Sequence, residues 1–455
     1  MASKIDHDQL FRDVARRLAA GSPRASTELA RELGISQATF SRVAAGHASE
    51  LLVLGRARST RYALRRSIPD VGHTLPIFEV DERGGARHLG RLHALARTRF
   101  YVEAIHPDLE SRFHDDLPYF LDGMRPAGFL GRLVPQVHAE LELPGDVRHW
   151  SADQTLRYLS HFGSDLPGSL IVGDAAFKRH LETLRSPPPA IAPSRRAVKY
   201  EALAEDVLGG APPGSSVGGE RPKFLSRRLP GPTDVLVKFS PPLEDAPSTR
   251  IADLLVAEHL ALRTLAAHGE AAASSELVEG RRRIFLEVQR FDRMPDGGRR
   301  GVVSLLALDA EFLGRMKRWS ESAEALADAG HVGRAAVARL RWLECFGRLI
   351  ANTDMHFGNA SFFTQGTTVV PLAPAYDMSP TFYAPRSGDM GSRAFVPPPP
   401  EPDVAPVWTA VCDAASEFWG EVGSHGLVSA PFRRIALANR SAIARIRDEG
   451  RRLPR

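Results

Sequence analysis

Residues 352–377 constrain this chain more than any other stretch. They begin Asn352-Thr353-Asp354-Met355-His356-Phe357-Gly358-Asn359, continue through an apolar run from Ala360 to Phe363, Gln365-Gly366 and a second run from Thr367 to Leu372, and end at Asp377. Two β-rich runs around a glycine-containing turn predict a hairpin. A hairpin returns the chain to its start, so Asn359 and Asp377 are expected side by side. An Asp with an Asn five positions on, then a second Asp after a hairpin, is how phosphoryl-transfer enzymes assemble a base and a magnesium site.

Length and charge set the frame for that site. At 455 residues the chain is too long for one core, and two to four domains are expected. The two cysteines, Cys345 and Cys412, form neither a disulfide framework nor a metal-like spacing, which points to a reducing compartment. The polar N-terminus and the lack of a membrane-length apolar run predict a cytoplasmic protein with no membrane partner. Residues 1–67 carry 12 Lys/Arg against 6 Asp/Glu, a net +6, while the remainder is net −1. All of the basic excess therefore sits at the front, which is expected of a nucleic-acid-facing module on a near-neutral body.

The front module has its own pattern. Leu10, Phe11, Val14, Leu18 and Ala19 recur at helical spacing before Gly21-Ser22-Pro23. Residues 26–43 then match a helix-turn-helix: Ala30 is small where two helices would cross, Gly34 sits at the tight turn, and Ser36 would cap the second helix. Gln37, Ala38, Ser41 and Arg42 would face outward toward base edges. Leu51–Leu54 and Arg61–Leu64 read as a wing hairpin whose tip carries Arg56 and Arg58 for phosphate contact. The bland reading is a small helical domain with solvated arginines, or a protein-docking module.

Residues 68–185 read as mixed α/β, with strands at Leu75–Val80 and Arg99–Ala104 and a helix from Ala152 to His161. The scattered His106, His114, His138, His149 and His161 lack ligand spacing. Pro187 to Pro189 and Pro193 mark a linker or rigid crossing. Residues 210–223 form a Gly/Ser loop in which the N–H groups of Gly218 and Gly219 would cradle phosphate oxygens, with Lys223 adding charge. Such loops are common, but the neighbouring strand Asp234–Phe239 carries one lysine, Lys238, among apolar residues, and a strand-buried lysine needs an anionic partner. The predicted helix Ile251–Ala267 offers Glu258 to pair with it, and Arg283–Arg293 reads as a strand leaving into a hinge. The long helix Val332–Ile350 delivers the chain to Asp354, and two helices near Trp408–Val422 and Pro431–Arg447 end the chain.

Gly-rich loop, lysine, glutamate, hinge, Asp/Asn loop and final Asp occur here in the order that protein kinases use. On Ser216-Val217-Gly218-Gly219-Glu220-Arg221-Pro222-Lys223, Leu236-Val237-Lys238, Gln289-Arg290-Phe291-Asp292-Arg293, residues 352–359 and Ala375-Tyr376-Asp377, the chain resembles HipA-type serine/threonine kinases, the toxins of toxin–antitoxin systems. The resemblance spans roughly residues 75–440, with Arg125 to Gly131 similar to the family's N-terminal subdomain. With its fused helix-turn-helix it resembles the orphan, YjjJ-like branch.

That resemblance implies a mixed α/β (α+β) fold: a two-lobed, protein-kinase-like HipA body with an N-terminal winged helix-turn-helix. The expected domains are 1–67 (DNA-binding), 68–190 (HipA-like N-terminal subdomain) and 191–455 (kinase core and helical lobe). It implies ATP and Mg²⁺ as ligands. Asp354 would be the base, Asn359 and Asp377 would hold magnesium, and His356 would approach the γ-phosphate. Lys238 would contact the α/β-phosphates, and Gln289 to Phe291 would hold adenine through backbone groups. Val217, Gly218, Gly219, Lys223 and Tyr376 complete the nucleotide set, and Ser216 matches the position that HipA kinases autophosphorylate. Two departures stand out: Gly358 replaces the basic residue usual before the loop asparagine, and Gln289 replaces an acidic hinge residue. By analogy the substrate would be a protein such as an aminoacyl-tRNA synthetase, with DNA and a separate antitoxin as further partners. The alternative expectation is a DNA-binding transcriptional regulator with a degenerate kinase fold.

Overall fold

The computed structural model describes residues 6–56, 59–210, 221–386 and 394–448. Among the sites expected above, Arg58, Ser216, Val217, Gly218 and Gly219 lie outside these residues.

At the front, three helices (His7–Leu18, Ser26–Glu32, Gln37–Gly46) pack on a three-stranded antiparallel sheet. The hairpin Leu51–Leu54/Arg61–Leu64 forms two strands, and Arg24–Ala25 adds the third. Asp6 caps the first helix and Ser36 the third, each side chain accepting the backbone N–H groups left orphaned at a helix start. Gly34 takes φ +66° between the second and third helices, a conformation a side chain disfavours. Phe11, Val14, Leu18, Leu29, Phe40, Val43 and Leu51 make a small closed core.

That unit is joined to the next by backbone pairing. Arg66 N–H donates to Ala94 O (3.0 Å) and Ala96 N–H to Leu64 O (2.9 Å). Leu52, Ala63 and Leu95 share a second apolar cluster across the junction. The middle region is a five-stranded antiparallel sheet in the spatial order Arg112–His114, Phe100–Ala104, Ala86–Ala94, Thr74–Val80, Leu170–Val172. Helices Gly128–Val137 and Ala152–Phe162 pack against it, closing a core around Leu75, Leu92, Phe100, Val102, Leu156 and Leu159.

The remainder is built around two further sheets and a helical mass. A four-stranded antiparallel sheet runs in the order Ser275–Glu279, Ile284–Gln289, Thr233–Phe239, Lys223–Arg228. The helix Ala246–Ala267 crosses it, started by a capping box between Asp245 and Ser248. The hairpin Ser361–Gln365/Thr368–Leu372 forms with Gly301–Ser304 a three-stranded sheet. Pro371 sits on its edge strand, where a missing N–H costs no ladder bond. Helices Trp319–Asp328, Arg334–Leu349, Trp408–Ser424 and Ala430–Arg447 bury the largest core, around Leu340, Phe346, Trp408, Phe418 and Trp419.

Candidate functional site

The Asp354 loop is set by how its helix ends. After Arg334–Leu349, Ala351 adopts φ +60° and Asn352 N–H donates back to Gly347 O (2.9 Å), a left-handed stop that turns the chain out of the helix. Gly347 leaves room for Met355: a Cβ there would meet the Met355 Sδ closely. The Asn352 side chain then organises the loop beyond it, accepting from Asp354 N–H (3.0 Å) and from the Thr381 hydroxyl (3.1 Å). Asp354 and His356 are exposed, while Asn359 is buried. Asn359 Nδ2 donates to Asp354 O (2.9 Å), which commits the amide nitrogen inward and leaves its oxygen as an acceptor. His356 Nδ1 accepts from Gly358 N–H (3.1 Å), so a neutral ring carries its proton on Nε2.

The hairpin brings the far end back. Gly366 turns it at φ +58°, and Tyr376 donates to Gly358 O (2.6 Å) while meeting the Ser361 hydroxyl at 2.7 Å. Asp377 comes immediately after, itself at φ +56°. A left-handed non-glycine residue persists only where its surroundings hold it, and such residues cluster at functional sites. Burial drives the Tyr376 hydroxyl well above its usual range, keeping it a neutral donor.

Three cations and two carboxylates meet at this point. Lys238 Nζ donates to Glu258 Oε1 (2.6 Å) and to Asp377 Oδ1 (2.7 Å). Lys238 and Glu258 are almost fully buried, whereas the Asp377 side chain keeps 27% of its exposure. Burial alone would lower the Lys238 pKa, but Asp377 and Glu258 more than reverse it. Burial alone would raise Asp377, yet Lys238 and then Lys223 hold it below the usual carboxylate range. Lys223 stands directly opposite Lys238 in the strand register and is 2% exposed. Burial and the neighbouring Lys238 bring its pKa down to about 8. Arg221 lies within electrostatic reach of both Asp377 and Lys223.

The hinge segment has two of its backbone donors already engaged. Gln289 N–H donates to Ser274 O (2.8 Å) and Arg290 N–H to Asp234 O (3.0 Å), so both donors are spent on the fold. What the segment places beside the site is the Phe291 ring, 5.6 Å from the Tyr376 ring and 5.9 Å from that of Phe363. Arg290, Asp292 and Arg293 turn the other way, into the middle region. Arg293 donates to Asp165 (2.8 Å) and Asp292 (2.8 Å), and Asp292 accepts from Gly168 N–H (2.9 Å). The sequence motif contained these residues without revealing that they tie the hinge to positions about 125 residues away. The hairpin tip is held from the same region: the buried Glu79 accepts from Gly366 N–H (3.0 Å), and Asp108 O from Thr367 N–H (2.9 Å).

In the front unit Gln37, Ser41, Arg42 and Arg56 are all exposed. Gln37 donates to the Ser26 hydroxyl (3.2 Å), and Arg42 donates to its own helix carbonyl at Ala38 (3.4 Å).

The donor set suits a hard divalent ion. Asp377 and the Asn359 amide oxygen offer hard oxygen donors, and magnesium is held by one or two carboxylates plus substrate phosphates rather than by an all-protein cage. Among the described residues no three His, Cys, Asp or Glu side chains converge into such a cage. Nor is any described helix long and apolar enough to cross a membrane.

The chain as a whole is similar to known proteins. Residues 71–181 match the YjjJ-like toxin middle domain, and residues 215–397 the HipA-like C-terminal domain. Toxin YjjJ of Escherichia coli (strain K12) is 35% identical over 436 residues, covering 95% of this chain and 97% of that protein. Among solved structures, a chain from the Shewanella oneidensis MR-1 complex of HipA, HipB and operator DNA superposes with TM-score 0.51 at 14% identity, over 82% of this chain and 97% of that one. The Helicobacter pylori proinflammatory kinase CtkA gives a partial likeness, TM-score 0.37 at 13% identity, over 51% of this chain and 91% of that one.

Proposed function

Because the chain belongs to the HipA-type toxin family, in its YjjJ-like branch, we propose that it is an ATP- and Mg²⁺-dependent protein serine/threonine kinase that acts as a growth-inhibiting toxin. The observation that carries this reading is Lys238, pinned between Glu258 and Asp377, the residue after the Tyr376 that bonds back to Gly358 of the Asp354–Asn359 loop. On this reading Lys238 holds the α/β-phosphates, with its direction fixed by Glu258, and Lys223 supplies a second cation from the facing strand. Asn359 and Asp377 hold the magnesium, which when bound neutralises charge on the transferring phosphoryl group. Asp354, exposed and fixed through Asn352, orients the acceptor hydroxyl and takes its proton. His356 presents Nε2–H toward the γ-phosphate. Phe291 and Tyr376 wall the adenine, an apolar contact replacing part of the expected backbone recognition.

The front unit, with helices Ser26–Glu32 and Gln37–Gly46 and the hairpin Leu51–Leu54/Arg61–Leu64, supports a winged helix-turn-helix over residues 1–67. Gln37, Ser41 and Arg42 would read base edges and Arg56, with Arg58, would hold phosphate. Residues 68–190 and 191–455 would be the HipA-like subdomain and the kinase body. A translation factor such as an aminoacyl-tRNA synthetase is the substrate proposed by analogy, with an antitoxin as a further partner.

Labelled ATP tests the central point. The intact protein should transfer label to itself or to a protein substrate, and Asp354→Asn should lose about a hundred- to ten-thousandfold in rate, the usual contribution of a positioned base. Equal incorporation by the parent, Asp354→Asn and Asp377→Asn would make the site assignment wrong. DNA binding without any label transfer would favour a regulator built on a degenerate kinase fold.

A further inference from the structure

Among the described residues, Arg221 is the one cation of the cleft that the fold leaves unused. Lys223 and Lys238 face each other in register on adjacent strands. Like charges so placed repel unless something negative sits between them. Glu258 and Asp377 answer that pair charge for charge. Arg221 lies two residues before Lys223, and the pairing reaches almost to it, because Phe239 N–H donates to Pro222 O (3.3 Å). Arg221 sits at the bend that leads into this strand, within electrostatic reach of Asp377 and Lys223. It adds a third positive charge to two negative ones.

Among the described residues that guanidinium has a nitrogen left without an acceptor. Arg221 Nη1 is buried and has no hydrogen-bond partner among the described residues, and no described carboxylate forms an ion pair with Arg221. A buried donor without an acceptor is costly to keep, and an arginine has five donors in a rigid fork. Arg290 and Arg293, by contrast, spend every side-chain nitrogen on Asp165, Asp292 and nearby carbonyls. An open guanidinium beside two lysines is the pattern of an anion site, and a fork that matches two phosphate oxygens suits a polyphosphate better than a point charge does.

We infer that Arg221 is a phosphate ligand of the nucleotide site, gripping the polyphosphate chain next to the oxygens taken by Lys238. The inference rests on the kinase reading and adds a residue to it: the grip is made by a guanidinium at the entrance of the strand Lys223–Arg228 as well as by Lys238.

The test measures binding rather than turnover. Affinities of the full chain for ATP, for tripolyphosphate and for uncharged adenosine are compared by calorimetry in the parent, Arg221→Gln and Arg221→Lys. Arg221→Gln should weaken ATP and tripolyphosphate by about ten- to a hundredfold, the worth of a charged hydrogen bond, and leave adenosine unchanged. Arg221→Lys should restore part of the loss, returning the charge without the fork. The melting temperature of Arg221→Gln without ligand should match the parent, because no hydrogen bond to the described residues is removed. Equal ATP affinity in parent and Arg221→Gln overturns the inference alone. Equal weakening of adenosine and ATP also overturns it, since the residue would then act on the shape of the pocket. A parent that binds none of the three probes overturns the kinase reading and this inference together.

Discussion

Two clusters of mixed charge in the molecule are built in opposite ways. In one, Arg290 and Arg293 from the hinge meet Asp292 and the middle region's Asp165, and every guanidinium nitrogen of these two arginines finds an acceptor. Burial works against the Asp292 carboxylate, yet Arg290 and Arg293 hold its pKa at about 2. In the other, Lys238 closes on Glu258 and Asp377, but Glu258 Oε2 and Arg221 Nη1 stay buried without partners among the described residues. A closed cluster fixes one arrangement of the fold. An open one keeps charges poised for something that arrives later. Cations and carboxylates thus close on one another in one place and, on the kinase reading, stand ready for a ligand in the other.

Stability separates them first. Arg293→Ala strips a guanidinium from Asp165 and Asp292 and should cost about 3–5 kcal/mol in urea unfolding, the cost of breaking a buried pair. Asp377→Asn should cost about 1 kcal/mol, because Lys238 keeps Glu258 and the lost carboxylate is partly exposed. Equal losses in the two variants would erase the distinction between a closed and an open cluster.

The pH response sharpens it. Lys223 is held at about 8, below the ordinary lysine value, by burial and Lys238. A depressed lysine makes the unfolded chain bind more protons than the folded one between that value and the ordinary lysine range, so stability without ligand rises with pH across that window. Phosphate favours the charged amine, so nucleotide binding should take up a proton there. Affinity for ATP should fall about tenfold per unit above about pH 8, and Lys223→Met should flatten the profile. A parent profile already flat from about pH 7 to 10 would remove Lys223 from the phosphate grip.

The smallest effect belongs to charge left in solvent. Arg56 is exposed at the front hairpin. If it meets a DNA phosphate, Arg56→Ala should reduce the slope of log affinity against log salt by about one and weaken all sequences alike. An unchanged slope would leave the hairpin tip without a DNA role.

The range of each interaction decided how much of this was legible in the sequence. Periodicity alone located the helices that begin at His7 and end at Leu349 and Ser424 to within a few residues, because an amphipathic stripe is a local pattern. The hairpin Ser361–Gln365/Thr368–Leu372 was equally readable from its runs and Gly366. The strand Ala86–Ala94 and the helices Asp174–Arg185 and Arg196–Leu208 were not marked: the strand comes after a turn with charged residues along it, and the helices' apolar faces are short. Lys238, Glu258 and Asp377 were readable as separate residues through their order, but their meeting spans up to 139 positions. The Asp165–Arg293 tie and the use of the Gln289 N–H by Ser274 depend on which strands neighbour one another, which no local pattern encodes. Arg221 was part of a matched motif, yet the inference drawn on it starts from an Nη1 without a partner among the described residues, which can be read only in three dimensions.

At the centre of the kinase reading two aspartates divide the work, Asp377 for magnesium and Asp354 for the acceptor hydroxyl. Calorimetric titration of ATP with and without Mg²⁺ into the parent, Asp377→Asn and Asp354→Asn tests that division directly. Asp377→Asn should lose the gain in affinity that Mg²⁺ gives the parent, and Asp354→Asn should keep it in full. The same Mg²⁺ gain in all three proteins, or its loss in Asp354→Asn alone, would contradict the assignment.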